Sequence, residues 1–567
     1  MARRRPVFII IAAAAAAAAV TISAPGAQTG AAASGGHHPS HPAKPTKVVI
    51  IVVDSLSKEI VDKYRMKNVK KLMKDGVDTP RGYLGHTGSV TVVTHNVITS
   101  GQLPKHMGWT DEGYRDVAGI LGDPEPTNPD QLYITSNFGA SEMFALQQAA
   151  GYPKLADYLG AADPTAKTFT ISPKGYAAWA FGGAGVDSNI TFSSATCTNA
   201  AGSWRKPSGT TTAPPPSYIL GGECSRFWVH SGYPTYAYDT TKLPAVLYPL
   251  DSDRYVTGHD LAHEGGDVWA ADAAVAIMRN DPSWNGIFVT LPGVDKAAHM
   301  WGGVTDPGPT GADGDPMTHM AAATAEADRQ VGKLMAELKA RGELDNTLVV
   351  LTADHGSVAG KQFYGKQVAT RDYGYNNWYY GDPENDAVYN QPQDALLPLV
   401  NTGNVGLSYS DSMLRVWLKD QSSAKVNEAA AAMQSMAAVT AVWRRHGAHY
   451  DRVSPVRWDR MKTGGERKWF ADKAQELVDT EAAVYGPDLI ATLPDDTTYS
   501  VLGDHGGIQR AAQQIPIVFA GAGLSSKDLH SEVRSVDIMP MILRAMGIQP
   551  TYPMDGVAYP LPTKHDH

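Results

Sequence analysis

Five segments scattered along the 567-residue chain each end in a side chain that binds hard or borderline metal ions. They are VVIIVVD at Asp54, GSVTVVTHN around Thr91, LPGVDKAAH at Asp295 and His299, LTADH at Asp354 and His355, and LGDHGG at His505. Three aspartates, three histidines and one hydroxyl are enough to hold two divalent cations with a nucleophile between them. The chemistry of such a set is metal-assisted hydrolysis. Taken singly, each residue has a plainer role: an acid after an apolar strand commonly caps a helix or sits in a turn, and Thr91 would be an ordinary N-cap. The functional reading therefore rests on these residues meeting in space.

The elements that must bring them together are continuous apolar runs, Val48 to Val53, Gly286 to Leu291, Thr347 to Thr352 and Ile515 to Ala520. Runs of this kind suit strands covered on both faces by helices. Between them, residues 266–280 and 322–342 carry apolar positions at helical spacing, with Gly342 as the C-cap of the second. Alternating strands and helices predict an α/β fold, a three-layer sandwich around a mainly parallel sheet. Asp54 directly follows its strand, Asp295 comes four residues after Leu291, and Asp354 and His355 follow Thr352. Open α/β sheets bind ligands beyond the carboxyl ends of their strands, so these residues are expected to converge. The segment THNVITSGQLPKHMG reads as a helix of a few turns entered at a hydroxyl and stopped by Gly101 and Pro104. Its β-branched content makes it a weak helix that packing must hold, and its N-terminus is a place for phosphate.

Composition narrows the function classes. A net charge of -9 with a pI near 6.0 leaves no basic footprint for duplex nucleic acid; the anion-favouring helix start at Thr91 makes a small-molecule phosphate ester the expected partner instead. Arg3, Arg4 and Arg5 precede an alanine-dominated apolar run, Val7 to Ile22, followed by small residues. Residues 1–30 read as a signal peptide and 31–46 as a flexible linker, which predicts an exported, secreted chain with no membrane span after cleavage. An uncleaved anchor is the other reading, since the run is about as long as the shortest spanning helices of roughly 17 residues. The two cysteines, Cys197 and Cys224, share a Gly/Ser/Thr/Pro-rich stretch where a disulfide would restrain a long loop. Neither has the spacing of a zinc ligand.

The motifs resemble the alkaline phosphatase superfamily, most closely its branch of type I phosphodiesterases and nucleotide pyrophosphatases. In that branch the nucleophilic Thr stands ten residues before the glycine of a TG-x-x-P-x-x-HG-like segment, as Thr91 stands ten before Gly101 in SGQLPKHMG. DKAAHMWG is similar to the branch's D-x-x-x-H motif, ADHG at 353–356 to its SDHG, and GDHG at 503–506 to its last histidine segment. The likeness covers 47 to about 120, 266–360 and 480–548. It implies that Asp54, Asp354 and His355 hold one metal with the Thr91 oxygen, and that Asp295, His299 and His505 hold the other. Zinc is the expected ion, with manganese or iron as alternatives. The resemblance further implies attack by Thr91, a phosphothreonine intermediate and hydrolysis, with diesterase or pyrophosphatase activity ahead of monoesterase. A sulfatase is the runner-up, but Thr91-Val92-Val93-Thr94-His95 lacks the C/S-x-P-x-R context of those enzymes. A non-catalytic binding relative would need neither both metals nor a nucleophile.

Three positions depart from the branch. Where it has a phosphate-contacting asparagine this chain has Glu112, and Thr94 and Met107 stand where it has Asn and His. A carboxylate repels an anionic oxygen, so Glu112 is expected either to meet a cation or a hydroxylated substrate group or to face solvent, and Arg115 is the nearest cation to replace the lost donor. Domain boundaries are expected at 47–360 for the first part of the core, with a loop-rich insertion at about 160–265, at 361–480 for an inserted cap, and at 481–567 for the rest. The cap contains Tyr373, Tyr375, Trp378, Tyr379 and Tyr380, available to stack on a leaving group or to pack in the cap's own core, and a helix-like stretch AKVNEAAAAMQSMAAVTAVWRR.

Overall fold

Runs of β-branched residues disfavour helix and need cover on both faces, and in the computed structural model they form the middle of a nine-stranded sheet. The structure describes residues 44–122, 131–192, 261–301, 317–358, 396–499 and 504–564, with short pieces at 201–204, 212–213, 216–219, 362–363, 366–367 and 377–379. The signal-like segment, both cysteines, Tyr373, Tyr375 and Tyr380 lie outside the described residues, as do the side chains of Trp378 and Tyr379.

Lys47–Val53 is the central strand, flanked in parallel by Thr347–Thr352 and Trp284–Leu291. Lys167–Ser172 and Ser188–Phe192 continue the parallel set. The outer strands are antiparallel, among them Ile517–Gly521 beside Thr347–Thr352. That strand starts two residues later than expected, because Pro516 has no N–H to give the ladder. Every residue of Trp284–Leu291 and of Thr347–Thr352 is buried. Leu261–Asn280 and Met317–Ala340 pack on each other, while Thr91–Ser100 packs on Gly175–Gly182 and Ile538–Met546. Met317–Ala340 ends as expected near Gly342, at φ 68°.

Thr91–Ser100 is buried at all ten residues, so tertiary contact offsets its poor propensity. Val90 occupies the N-cap position and Thr91 is the first helical residue, which leaves the hydroxyl free of a capping role. Gly101, at φ 65°, ends the helix in the left-handed conformation that glycine adopts without strain.

A second, six-stranded antiparallel sheet runs Asn377–Tyr379, Val405–Ser410, Met413–Leu418, Leu489–Thr492, Ala441–His446 and His449–Arg452. Its fourth strand lies beyond residue 480. The stretch expected to be helix throughout is instead a helix, Ser423–Ser435, followed by the strand Ala441–His446. The alanine-rich half favours helix, whereas Val439, Thr440, Val442 and Trp443 favour strand, and Ala438 turns the chain between them at φ 66°. Among the described residues no helix is long and apolar enough to cross a membrane.

Candidate metal centre

Register brings the ligand positions together. Val53 pairs with Leu291 and Val52 with Thr352, so the chain segments after all three strands leave the sheet at one edge. The Asp54 amide donates to the Leu291 carbonyl (3.0 Å), which fixes where its carboxylate begins. Ser55 then turns the chain at φ 65°, a conformation rare outside glycine and seen mostly at constrained sites. From there its amide donates to Asp354 Oδ1 (3.3 Å) and its hydroxyl to Asp295 Oδ1 (2.9 Å). Asp267 accepts the Gly293 amide (2.8 Å) and so holds the turn before Asp295. After His355 comes Gly356, where a Cβ would drive into the Ala511 carbonyl.

Six of the seven expected residues meet. Asp54, Asp354 and His355 form one group whose ligand atoms lie within 4.8 Å of one another, and Asp295, His355 and His505 form a second. His355 and His505 stack with centroids 3.7 Å apart. Thr91 Oγ1 lies 3.3 Å from His355 Nε2. The seventh, His299, falls in the helix Gly293–Trp301, and its side chain lies outside the described residues.

The chemistry of the donor set fits cations. His355 Nδ1 faces the Gly356 carbonyl (3.0 Å) and His505 Nδ1 the Ser89 carbonyl (3.2 Å). A carbonyl only accepts, so these nitrogens carry the hydrogens, and the Nε2 lone pairs point into the site. There they meet carboxylates: His355 Nε2 is 3.4 Å from Asp54 Oδ1, and His505 Nε2 is 3.8 Å from Asp295 Oδ1. Asp54 Oδ1 and Asp354 Oδ2 are buried without a hydrogen-bond partner. Lone pairs converging on lone pairs inside a protein need positive charge between them. Burial, then repulsion from Asp295 and Asp354, raises the Asp54 carboxyl well above its ordinary range. Asp354 is pushed up to about 6, mainly by burial, and burial lowers His355.

Lys174 is the residue that sequence reasoning missed. It follows the parallel strand Lys167–Ser172, and its ammonium bridges Asp54 Oδ2 and Asp295 Oδ2 at 2.6 Å each. Burial alone would lower its pKa, but the pull of Asp295 and Asp54 raises it well above the ordinary lysine value. The signal was present, a lysine just past a strand end, yet the Thr/apolar alternation of KTFTIS hid a strand that is buried on both faces. His95 was passed over as well: it contacts the Thr91 carbonyl (2.8 Å) and Thr290 Oγ1 (2.8 Å), and so ties the start of the helix Thr91–Ser100 to the sheet.

Glu112 and Arg115 part company. Glu112 Oε2 accepts from the hydroxyls of Tyr409 (2.8 Å) and Ser136 (3.0 Å), and Asp504 and Lys174 are within electrostatic reach of it. Arg115 does not replace the lost donor: its guanidinium is engaged by Asp488 Oδ2 (3.1 Å) and the Leu418 carbonyl (2.8 Å). The buried carboxylate of Asp488 holds it more firmly than a solvated site could. Thr94 Oγ1 is buried without a partner, and Met107 sulfur accepts from Asn96 (3.2 Å) in the apolar cluster behind the helix.

Comparison with known proteins agrees with this fold. The wild-type alkaline phosphatase PafA, a solved structure, shares the fold at a TM-score of 0.57 with 13% identity, over 92% of this chain and 99% of that one. The alkaline phosphatase PhoK of Sphingomonas sp. is 26% identical over 152 residues, 25% of this chain and 26% of that relative, so the match spans about a quarter of its length. The family model for type I phosphodiesterase / nucleotide pyrophosphatase matches residues 48–507. The chain belongs to the type I phosphodiesterase / nucleotide pyrophosphatase family, within the alkaline phosphatase superfamily.

Proposed function

We propose that the protein is an exported hydrolase of phosphate esters that works with two divalent metals, zinc by the nature of the donors, and a phosphothreonine intermediate on Thr91. The observation that carries this reading is the position of Thr91 Oγ1, at the buried start of a helix and 3.3 Å from Nε2 of His355, the one residue common to both acceptor groups. Helix N-termini favour the negative charge that a phosphoryl group brings. Asp54, Asp354 and His355 would hold one metal and Asp295, His299 and His505 the other. Bound there, the metals supply Lewis-acid charge that favours the Thr91 alkoxide and offsets charge on the leaving oxygen.

The chain's own residues do the rest. His95 fixes the backbone carbonyl of Thr91 and so the direction of its side chain. Lys174 adds a fixed positive charge between Asp54 and Asp295. Attack by Oγ1 forms the Thr–O–P bond and breaks the bond from phosphorus to the leaving alcohol, and hydrolysis then restores the hydroxyl and releases a phosphate monoester from a diester or phosphate from a monoester. Family membership supports diesterase and pyrophosphatase activity as the first reading, and the local likeness to an alkaline phosphatase supports monoesterase activity as the second.

One purified sample tests this. Metal analysis should return about two divalent ions per chain, and one or none would overturn the two-metal reading. Rates on aryl phosphate mono- and diesters rank the two activities. Thr91→Ala should lower both by at least ~10³-fold, in line with the loss of a nucleophile elsewhere, and persistent turnover would mean a different nucleophile.

A further inference from the structure

A carboxylate stands within electrostatic reach of Lys174 and Asp504, at the edge of the site that must receive an anion. Glu112 is half-buried beside the site, and no lysine, arginine or histidine forms an ion pair with it among the described residues. The nearby cation, Lys174, is held by Asp54 and Asp295, and Arg115 is held by Asp488. One oxygen of Glu112 takes both hydroxyl donors, Tyr409 from the second sheet and Ser136 from the core. The other, Oε1, accepts no hydrogen bond among the described residues. Tyr176 lies within electrostatic reach of Glu112, Lys174 and both aspartates.

Such a corner repels phosphate oxygens and attracts a positive group placed a short distance from them. A third metal is the poorer guest, because among the described residues the acceptor groups that converge closely enough to hold an ion do not include Glu112. A carboxylate whose second oxygen is braced by Tyr409 and Ser136 suits an ammonium, which gives it one strong charge-assisted hydrogen bond.

Building on the phosphate-ester reading, we infer that Glu112, braced by Tyr409 and Ser136, binds an ammonium group carried by the substrate, which makes the substrate class amino-alcohol phosphate esters. Two isosteric pairs test this on the metal-loaded full chain: phosphoethanolamine against n-propyl phosphate, and their 4-nitrophenyl diesters. In the wild type kcat/KM should favour the aminoethyl compound by about tenfold or more, the least expected of a desolvated charge pair. Glu112→Gln, which keeps an acceptor for Tyr409 and Ser136, should bring the ratio close to one. Equal rates in the wild type, or a preference that survives Glu112→Gln, would overturn the inference. So would a third divalent ion that is lost in Glu112→Gln. Calorimetry on Thr91→Ala gives a readout free of turnover: phosphoethanolamine should bind about tenfold more tightly than n-propyl phosphate, and lose that advantage when Glu112→Gln is added. Hydrolysis of both pairs without preference refutes the inference alone, whereas absence of any phosphate-ester turnover refutes the hydrolase reading and leaves the calorimetric result to decide this one.

Discussion

Lys174 carries the positive charge on which the crowded carboxylates of the site depend, and it is itself almost fully buried. Removing one member of a buried ion cluster leaves the others uncompensated, at a cost of about 3–5 kcal/mol. Lys174→Met should therefore lower stability by that order in chelator and by less with zinc present, and urea unfolding under both conditions measures it. An unchanged midpoint in chelator would show that the bridge carries no weight. Two neutral histidines set the acid limit. Burial holds His86 and His95 down to about 3, against about 6.5 for an unfolded histidine. Below pH 6.5 the unfolded chain takes protons that the native one refuses, so stability is full above that pH and falls as pH drops toward 3, by up to ~1.4 kcal/mol per pH unit per group. His86→Phe should flatten the stability slope between pH 6 and 4 by about one such increment, read from denaturant midpoints at several pH values. At this scale the ligand types were legible, because each stands just past a recognisable strand or in a short motif. Lys174 and the hydroxyl partners of Glu112 were not, since their roles come from partners 24 to 297 positions away.

At the scale of elements, apolar runs foretold the strands, but direction and neighbours were beyond them. Nothing in Ile515 to Ala520 announces that Ile517–Gly521 runs antiparallel to Thr347–Thr352. The helix Thr91–Ser100 is the clearest case of packing over propensity, sealed at every residue despite its β-branched sequence. A shorter element shows how tightly the second sheet is fitted to the core. Gly113 follows Glu112 in the strand Gly113–Arg115, and a Cβ there would drive into the Trp417 ring of Met413–Leu418. Trp417 is fully buried and donates from Nε1 to the Tyr485 carbonyl (3.0 Å), so it has little room to yield. Gly113→Ala should cost about 1–3 kcal/mol as an overpacking substitution, and should raise KM through the displaced Glu112 more than it lowers kcat. A thermal shift with steady-state kinetics checks both.

Across the whole molecule, one side chain ties the second sheet to the catalytic edge. Arg415 is fully buried and pairs with Asp111, with Glu481 (3.0 Å) and with Asp411 (3.1 Å), and it donates to the Thr87 carbonyl. Thr87 leads into the helix Thr91–Ser100, Asp111 precedes Glu112, and Asp411 packs against Gly506 beside His505. Arg415→Met would strand three buried carboxylates and should cost about 3–5 kcal/mol, with Arg415→Lys restoring only part because it lacks the guanidinium fork. Unfolding midpoints and metal content of both variants test the coupling, and a stable Arg415→Met with two metals bound would refute it. The sequence by itself determined the donor types, the strand–ligand pattern and hence the family and fold class, because these depend on local spacing and on short-range periodicity. Only the tertiary structure decided that His355 stands in both acceptor groups, that Lys174 bridges them, that Arg115 faces Asp488, and that Glu112 is braced by a tyrosine from another sheet. Each of those depends on strand register and long-range packing, which bring together side chains that no local pattern relates.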